Sequence, residues 1–319
     1  MKEMRKFLLN ILGFAVLCAA AMFLVEIYLL NVPNRYSYKY NYIKDHKDEI
    51  QVLLLGSCHI EDDLNPKYLG EHTFNAAISG REEVYDADLI KQFVPQMKNL
   101  KVLVMPLEYR DFAMGRGKNN PRDLKKHGGF QSTFKCMYYK YMNIHIDPFW
   151  YWSEILNSEL NYKERIHMTY AQQIETDSLG FVQLLDANKI DKWEYWDLPY
   201  IYDMSLPVDS SKYQEIFEIY HTAGKICTEN GVRLILTSLP MYKTYQEDLN
   251  PAAEKEMRDF VKRIQEEFPT VEYYSFMRDE RFLPEDFHDA SHLSELGAPK
   301  FSKIFKEIID GNPSDEHNI

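Results

Sequence analysis

The sequence has no excess of positive charge. Its 319 residues include 37 lysines and arginines against 49 aspartates and glutamates, which gives a net charge of −12 at pH 7. Nucleic-acid binding needs clustered basic side chains to neutralise phosphates, so this balance argues against such a partner. The sequence also shows no low-complexity tract and no internal repeat. The length suits one large globular domain or two ordinary ones.

Cysteine is scarce, with four residues at Cys18, Cys58, Cys136 and Cys227. None of them forms a Cys-x-x-Cys pair or a Cys/His spacing typical of metal sites, so the sequence predicts no metal site and no cofactor. Cys227 lies on the apolar face of a predicted helix and is assigned to the core. A Cys136–Cys227 disulfide would require an oxidising compartment, and the sequence alone leaves it open.

One long apolar run is present, over residues 7–30, interrupted only by Asn10 and Glu26. Its 24 residues would make a helix of about 36 Å, enough to cross a bilayer core of about 30 Å. A cleaved signal peptide is the alternative, with a small-residue site at 19–21, although apolar sequence continues past that site.

Basic residues precede this run, and their position predicts a cytoplasmic N-terminus. We therefore expect residues 1–31 to form a cytoplasmic tip and a single-pass anchor in the cell membrane. Residues 32–48, which are polar and rich in tyrosine, are predicted to be a linker. Residues 49–319 would then be an extracytoplasmic domain.

Apolar runs and helical patterns alternate along this domain. The four runs that predict buried strands are Val52–Leu55, Lys101–Met105, Val232–Thr237 and Val271–Phe276. Helical patterns cover Glu82–Met97 and Ser211–Glu229, and two more helices would follow the capping residues Asn250 and Ser294. Such alternation predicts an α/β fold with three α/β/α layers, flavodoxin-like, around a parallel sheet. Ligands of such sheets bind beyond the carboxyl ends of the strands.

A segment at about 112–207 interrupts this alternation of strands and helices, and we expect it to be a helical insertion. It contains all four tryptophans, Trp150, Trp152, Trp193 and Trp196, and nine tyrosines. These aromatic residues either form a small core of the insertion or present a surface to a substrate or a partner.

The candidate site begins where the first strand ends, at Gly56-Ser57-Cys58-His59. A nucleophile needs a base within hydrogen-bond reach, and the base needs an orienting carboxylate. Asp289 and His292 lie just before the last predicted helix, with a spacing that lets the carboxylate hold one imidazole nitrogen. These residues predict a nucleophile, base and acid arrangement.

Three segments resemble the sequence blocks of SGNH/GDSL hydrolases: Gly-Ser-Cys-His at 56–59, Phe-Asn-Ala-Ala-Ile-Ser-Gly at 74–80 and Asp-x-x-His-Leu at 289–293. The resemblance implies that Cys58 is the nucleophile, with His292 as base and Asp289 as acid. It also implies an oxyanion hole from the amides of Cys58 and Gly80. Asn75 is a further candidate oxyanion donor or, alternatively, a turn residue.

The anchor and the block order look most like extracytoplasmic members such as DltD and the AlgJ/AlgX-type polysaccharide acetylation proteins. That resemblance implies transfer or hydrolysis of an acyl ester on a cell-envelope or exported polysaccharide. It also implies an acyl donor, a polymer acceptor and a membrane-bound O-acyltransferase as partners. Two rival hypotheses stay open, a non-catalytic scaffold of the same fold and a plain lipase-like esterase.

Two departures from the family pattern affect the chemistry. Cysteine replaces the usual serine, which would make the intermediate a thioester. Glu108 follows the second predicted strand where the family has an asparagine that donates to the oxyanion, and an ionised carboxylate cannot donate. Tyr109 is therefore another candidate donor.

The remaining residues near the site have alternative roles. Ser57 is a second candidate nucleophile, and His59 is a second candidate base, although both are expected to line the pocket together with Glu108 and Tyr109. Cys58 as a buried structural thiol and His292 as a helix-capping residue are the corresponding structural alternatives. The acidic run at residues 61–63 is expected to be a solvated face.

Overall fold

The computed structural model of the chain describes residues 2–81, 83–113, 136–144, 148, 149, 151, 176–185, 210–247 and 249–312. These residues form an α/β fold around a five-stranded parallel sheet, as predicted. The strands are β1 Val52–Leu54, β2 Thr73–Asn75, β3 Val102–Pro106, β4 Arg233–Ser238 and β5 Val271–Ser275, in the order β2-β1-β3-β4-β5.

The helices are α1 Lys2–Leu30, α2 Arg35–His46, α3 Cys58–Asp63, α4 Glu83–Phe93, α5 Arg110–Ala113, α6 Ser210–Glu229, α7 Lys243–Glu247, α8 Pro251–Glu267 and α9 Gly297–Ile309. A hairpin of β6 Phe287–Asp289 and β7 His292–Leu293 precedes α9. Helix α6 packs on both α4 and α8, and α9 packs on α3, so helices flank the sheet.

The four predicted strands are present, and β2 was missed. It is a three-residue edge strand whose sequence, Thr-Phe-Asn, is too short to show an apolar pattern. The predicted helix caps are present as well. Asn250 accepts a hydrogen bond from the Ala252 amide at 2.9 Å, and the Ser294 hydroxyl accepts one from the Leu296 amide at 3.2 Å.

The segment 32–48 is not the linker that its composition suggested. It contains α2, whose Tyr36 and Ile43 are fully buried in the main core. On the same helix, Tyr42 stacks on Phe74 of β2, with ring centroids 3.9 Å apart. The tyrosines that looked polar in the sequence cover the edge of the sheet with their rings, since a phenol is apolar over most of its surface.

Helix α1 is long and apolar enough to cross a membrane, a property that signal sequences share. Its carboxyl-terminal turn contacts the segment 136–144. The Tyr141 hydroxyl donates to the Leu29 carbonyl at 2.6 Å, and Lys140 forms an ion pair with Glu26 at 3.0 Å. Residues near the end of α1 are therefore held by side chains of the segment 136–144.

Most of the predicted insertion, including its four tryptophans, lies outside the described residues. Of its described part, residues 136–141 are helical, and Tyr138 and Tyr141 belong to the main core. Cys136 packs with Tyr151 in a separate cluster, whereas Cys227 lies in the main core, and no disulfide joins the two cysteines.

Candidate active site

The site begins with the sharp exit of the chain from β1 at Gly56. This residue has φ +137°, and a Cβ atom there would lie 2.6 Å from the Pro106 ring and 2.9 Å from the Ile60 side chain. Only glycine fits both the backbone conformation and the space. The turn ends at once in α3, whose first residue is Cys58. The tight exit therefore places the thiol at the carboxyl edge of the sheet.

The predicted triad is assembled at this edge. His292 forms a side-chain hydrogen bond with Cys58, and its Nδ1 lies 2.8 Å from Asp289 Oδ2. The hairpin fixes the pair, because Asp289 Oδ1 also accepts the amides of Ser291 and His292 at 2.8 and 2.9 Å. Since Nδ1 is held by the carboxylate, Nε2 is the nitrogen left for the thiol. This is the geometry of a nucleophile, a base and an orienting acid.

The electrostatics favour a charged pair. Burial lowers the pKa of His292, but the negative charge of Cys58 and the hydrogen bond to Asp289 outweigh it and raise that pKa well above its ordinary value. Burial acts to raise the pKa of Asp289, yet the hydrogen bond and charge of His292 bring it below its ordinary value. The site therefore favours the imidazolium form of His292, next to the Asp289 carboxylate.

A second histidine–carboxylate pair lies beside the first. His59 Nδ1 is 2.7 Å from Glu108 Oε1, and both side chains are buried. The Ser57 hydroxyl donates to the same carboxylate oxygen at 3.3 Å. Ser57 is thus bound to an acid rather than to a base, which argues against it as the nucleophile. Glu108, which stands where an oxyanion donor was expected, accepts hydrogen bonds instead.

The acidic run 61–63 is not a solvated face, because Glu61, Asp62 and Asp63 are all buried. Glu61 Oε1 binds Lys39 Nζ at 2.7 Å, and its Oε2 binds Arg35 at 3.2 Å. The charge is buried because α2 supplies two cations to it. No local pattern indicated this pairing, since the partners are 22 and 26 positions away.

Two further acids of α3 adjoin the triad. Asp63 Oδ1 accepts the Leu293 amide at 2.8 Å, so it fixes β7 next to the base. Burial, opposed by the nearby charges of His292 and His59, raises the pKa of Asp63 well above its ordinary value. Burial and the charge of Glu61 raise the pKa of Asp62 to about 8. Near neutral pH the site therefore holds fewer negative charges than its acidic sequence suggests.

The loop after β2 is also tied to this network. Glu61 Oε2 accepts the Ser79 amide at 2.7 Å, and Lys39 Nζ donates to the Ala77 carbonyl. The loop then turns at Gly80, an exposed residue with φ +77°. The contacts of Ser79 and Ala77 fix the backbone of this loop just before Gly80. The oxyanion role of the Gly80 and Cys58 amides stays a prediction.

The other two candidate donors are engaged elsewhere. Asn75 is fully buried, and its Nδ2 donates to the carbonyls of Ile60 and Leu64 at 2.7 and 3.0 Å. Its amide hydrogens hold the carboxyl-terminal half of α3, so the prediction of an oxyanion donor is wrong. The Tyr109 hydroxyl accepts the Asn250 amide at the start of α8, where it stabilises that helix terminus instead of lining the pocket as predicted.

The structure brings together ligand atoms that the sequence spacing did not connect. One atom each of Cys58, His59 and His292 lies within 4.8 Å of the other two. The two imidazole rings face each other with centroids 4.7 Å apart. The sequence spacing did not indicate this grouping, because two of the residues are adjacent in sequence and the third comes from the opposite end of the domain.

Comparisons with known proteins identify structural neighbours only. No family model and no curated protein matches the chain. A structure described as "a putative platelet activating factor from Streptococcus pneumonia" is 13% identical, with a TM-score of 0.42, and the match covers 91% of this chain and 99% of that one. A GDSL-like lipase from Bacteroides thetaiotaomicron is 11% identical, with a TM-score of 0.40 and coverage of 86% and 98%.

Proposed function

We propose that this protein transfers or hydrolyses acyl esters through a covalent intermediate on Cys58. The observation that carries the proposal is the chain of contacts from Cys58 to His292 to Asp289, with His292 Nδ1 2.8 Å from Asp289. A thiol beside an imidazolium ionises readily, and the thiolate is the nucleophilic form of cysteine. The half-buried position of Cys58 leaves it open to a substrate.

In the first half-reaction the Cys58 thiolate attacks the acyl carbonyl carbon and forms a C–S bond. The tetrahedral intermediate collapses by breaking the C–O bond of the donor ester, and the His292 imidazolium gives its proton to the leaving alkoxide. The acyl group is then a thioester on Cys58. Asp289 keeps the imidazole oriented and stabilises its charged form.

In the second half-reaction a hydroxyl group of water or of a sugar gives its proton to neutral His292. Its oxygen attacks the thioester carbonyl, the C–S bond breaks, and the thiolate–imidazolium pair re-forms. Amides of Cys58 and Gly80 are the proposed donors to the oxyanion in both steps. A thioester is well suited to acyl relay, because it reacts readily with nucleophiles.

We propose a cell-envelope or exported polysaccharide as the acceptor and an extracytoplasmic location for the domain. The apolar helix α1 and the sequence resemblance to polymer-acylating relatives support this part, which includes a membrane-bound O-acyltransferase as a partner. The non-catalytic scaffold is disfavoured by the intact contacts of the triad, since a binding module has no need of an oriented base.

The test is intact-mass spectrometry of the full-length protein in detergent after exposure to an activated acetyl ester. We expect one added acetyl group, mapped to Cys58 by peptide analysis. It should be absent from Cys58→Ala and strongly slowed in His292→Asn. A suitable matched control is His221→Gln, because His221 also pairs with a glutamate, Glu267, at 2.7 Å but lies on α6. Failure to acetylate, or an adduct that survives Cys58→Ala, would contradict the proposal.

A further inference from the structure

We propose that Cys58, His59 and His292 form a reversible binding site for Zn²⁺ and that the metal-bound protein cannot carry an acyl group on Cys58. Zinc binding does not depend on the proposed function, whereas the inhibitory effect rests on it.

The donor set is the first support. A thiolate sulfur and two imidazole nitrogens are the ligands that Zn²⁺ prefers, while Mg²⁺ and Ca²⁺ prefer oxygen. The three ligand atoms lie within 4.8 Å of one another. Around a tetrahedral zinc ion such atoms would be about 3.3–3.6 Å apart, so closure requires side-chain movements of roughly 1 Å. Three protein ligands leave the fourth position to water.

The orientation of both histidines is the second and independent support. Zinc-bound histidines commonly donate their other ring nitrogen to a carboxylate, which fixes the tautomer and the direction of the ring. Here His59 Nδ1 is held by Glu108 at 2.7 Å, and His292 Nδ1 is held by Asp289 at 2.8 Å. Nε2 is thus the nitrogen left on each ring, and the two rings lie against each other beside Cys58.

The charge around the cluster is the third support. Zinc would displace the proton of the His292 imidazolium, and a Zn²⁺ ion with one thiolate and two neutral imidazoles has a net charge of +1. The carboxylates of Glu108 and Asp289 together carry −2, so they more than compensate this charge. The surroundings of the cluster therefore suit a divalent cation.

Inhibition follows from the shared atoms. The Cys58 thiolate cannot attack a carbonyl while its sulfur is bound to zinc, and His292 cannot accept a proton while its nitrogen is bound to zinc. The catalytic step needs only one histidine next to the thiol. The zinc site uses His59 as well, so the two properties can be separated by mutation.

The test uses full-length protein in detergent, treated with a chelator, and then Co²⁺ as a spectroscopic probe followed by Zn²⁺ competition. We expect a near-ultraviolet thiolate-to-cobalt band and visible bands of tetrahedral cobalt, both removed by one equivalent of Zn²⁺. Cys58→Ser should abolish the near-ultraviolet band. Glu108→Gln should weaken Zn²⁺ binding by about 10- to 100-fold, the usual effect of losing such a carboxylate. His221→Gln, which alters a histidine–carboxylate pair without a cysteine, should leave the spectrum unchanged.

Absence of the thiolate band, or its persistence in Cys58→Ser, would overturn the zinc site. Acetylation of Cys58 should be blocked by Zn²⁺ and restored by a chelator, and undiminished acetylation with zinc bound would overturn the inhibitory role. A protein that shows the cobalt spectrum but is never acetylated without metal would refute the proposed function and keep the metal site. The cobalt readout needs no activity, so the two failures are distinguishable.

Discussion

The imidazole rings of His59 and His292 lie 4.7 Å apart, at an angle of 56°, and each is held by its own carboxylate. Their positions are not equivalent, because the thiol hydrogen bond is made by His292. In the proposed mechanism the base of Cys58 is therefore not its neighbour in sequence but His292, from a hairpin at the other end of the domain.

This asymmetry predicts a rank order of catalytic effects. Asp289→Asn and His292→Asn should each slow acylation of Cys58 by roughly 10³-fold or more, as loss of a triad member does elsewhere. His59→Asn should slow it much less, because His59 does not hold the thiol proton. Single-turnover acylation followed by mass spectrometry measures all three rates. A larger effect from His59→Asn than from His292→Asn would make His59 the base instead.

The thiols should differ sharply in reactivity. Burial raises the pKa of Cys227 to about 12, so at pH 8 about one molecule in ten thousand carries the thiolate there. Iodoacetamide should therefore label Cys58 in the native protein at pH 8 and leave Cys227 unmodified until the protein is unfolded. Peptide mapping over a time course gives both rates. Equal labelling of the two cysteines in native protein is the contrary result.

Gly56→Ala tests whether the tight exit from β1 positions the nucleophile. The new methyl group would meet the Pro106 ring and the Ile60 side chain at less than 3 Å, in a backbone conformation unfavourable for alanine. We expect the free energy of unfolding to fall by about 2 kcal/mol or more, together with slower acylation. Urea denaturation and single-turnover kinetics provide the measurements.

The control for this variant is Gly231→Ala. Gly231 also has a positive φ, +70°, but nothing lies within 4 Å of the position that the added methyl group would take. The change should therefore cost about 1 kcal/mol from the backbone alone and leave acylation unaffected. Similar losses of stability in both variants would show that crowding at Gly56 is unimportant.

The α/β fold was accessible from the sequence because its signals are local, since continuous apolar runs mark the buried strands. The spacing of Asp289 and His292 indicated that the carboxylate can reach the imidazole, whereas the link from Cys58 to this pair came from the resemblance to a family and not from a local pattern. The edge strand Thr73–Asn75 was missed because three residues carry too little pattern. The observed strand order, β2-β1-β3-β4-β5, is that of a flavodoxin-like fold, so it agrees with the predicted fold class although no local signal specifies which strands become neighbours.

What the sequence did not reveal depends on long-range pairs. Glu61 is buried because Lys39 and Arg35 neutralise it, and His59 is oriented because Glu108 reaches it from the end of β3. A single sequence shows the charges but not their partners, so the acidic run looked solvated and the 32–48 segment looked like a linker. Asn75 was misassigned for the same reason, because its carbonyl partners on α3 are visible only in the fold.

Retention of α1 is a further prediction. If α1 is an anchor, mass spectrometry of the protein from membranes should find the intact N-terminus, and extraction should require detergent. Cleavage near residues 19–21 would remove most of α1 but leave Glu26 and Leu29, which contact the segment 136–144. A mature protein that starts there and lacks the preceding residues would identify a signal sequence instead of an anchor.

The buried Glu61–Lys39 pair supports the final prediction, which links stability to the site. Lys39→Met removes one of the two cations that pair with Glu61 and leaves Arg35 in place. It should therefore lower the free energy of unfolding, but by less than the roughly 3–5 kcal/mol expected for a fully uncompensated buried charge. Glu61→Gln should also loosen the 77–80 loop, because Glu61 accepts the Ser79 amide. Lys39→Met combined with Glu61→Gln should be less destabilising than the sum of the two changes, since neither member of this ion pair remains. Urea denaturation of the four proteins gives the coupling energy. Lys255→Met, in an exposed pair with Asp259, is the control and should leave the stability unchanged, because solvent screens that pair. Additive effects at positions 39 and 61 would mean that this pair does not couple α2 to α3.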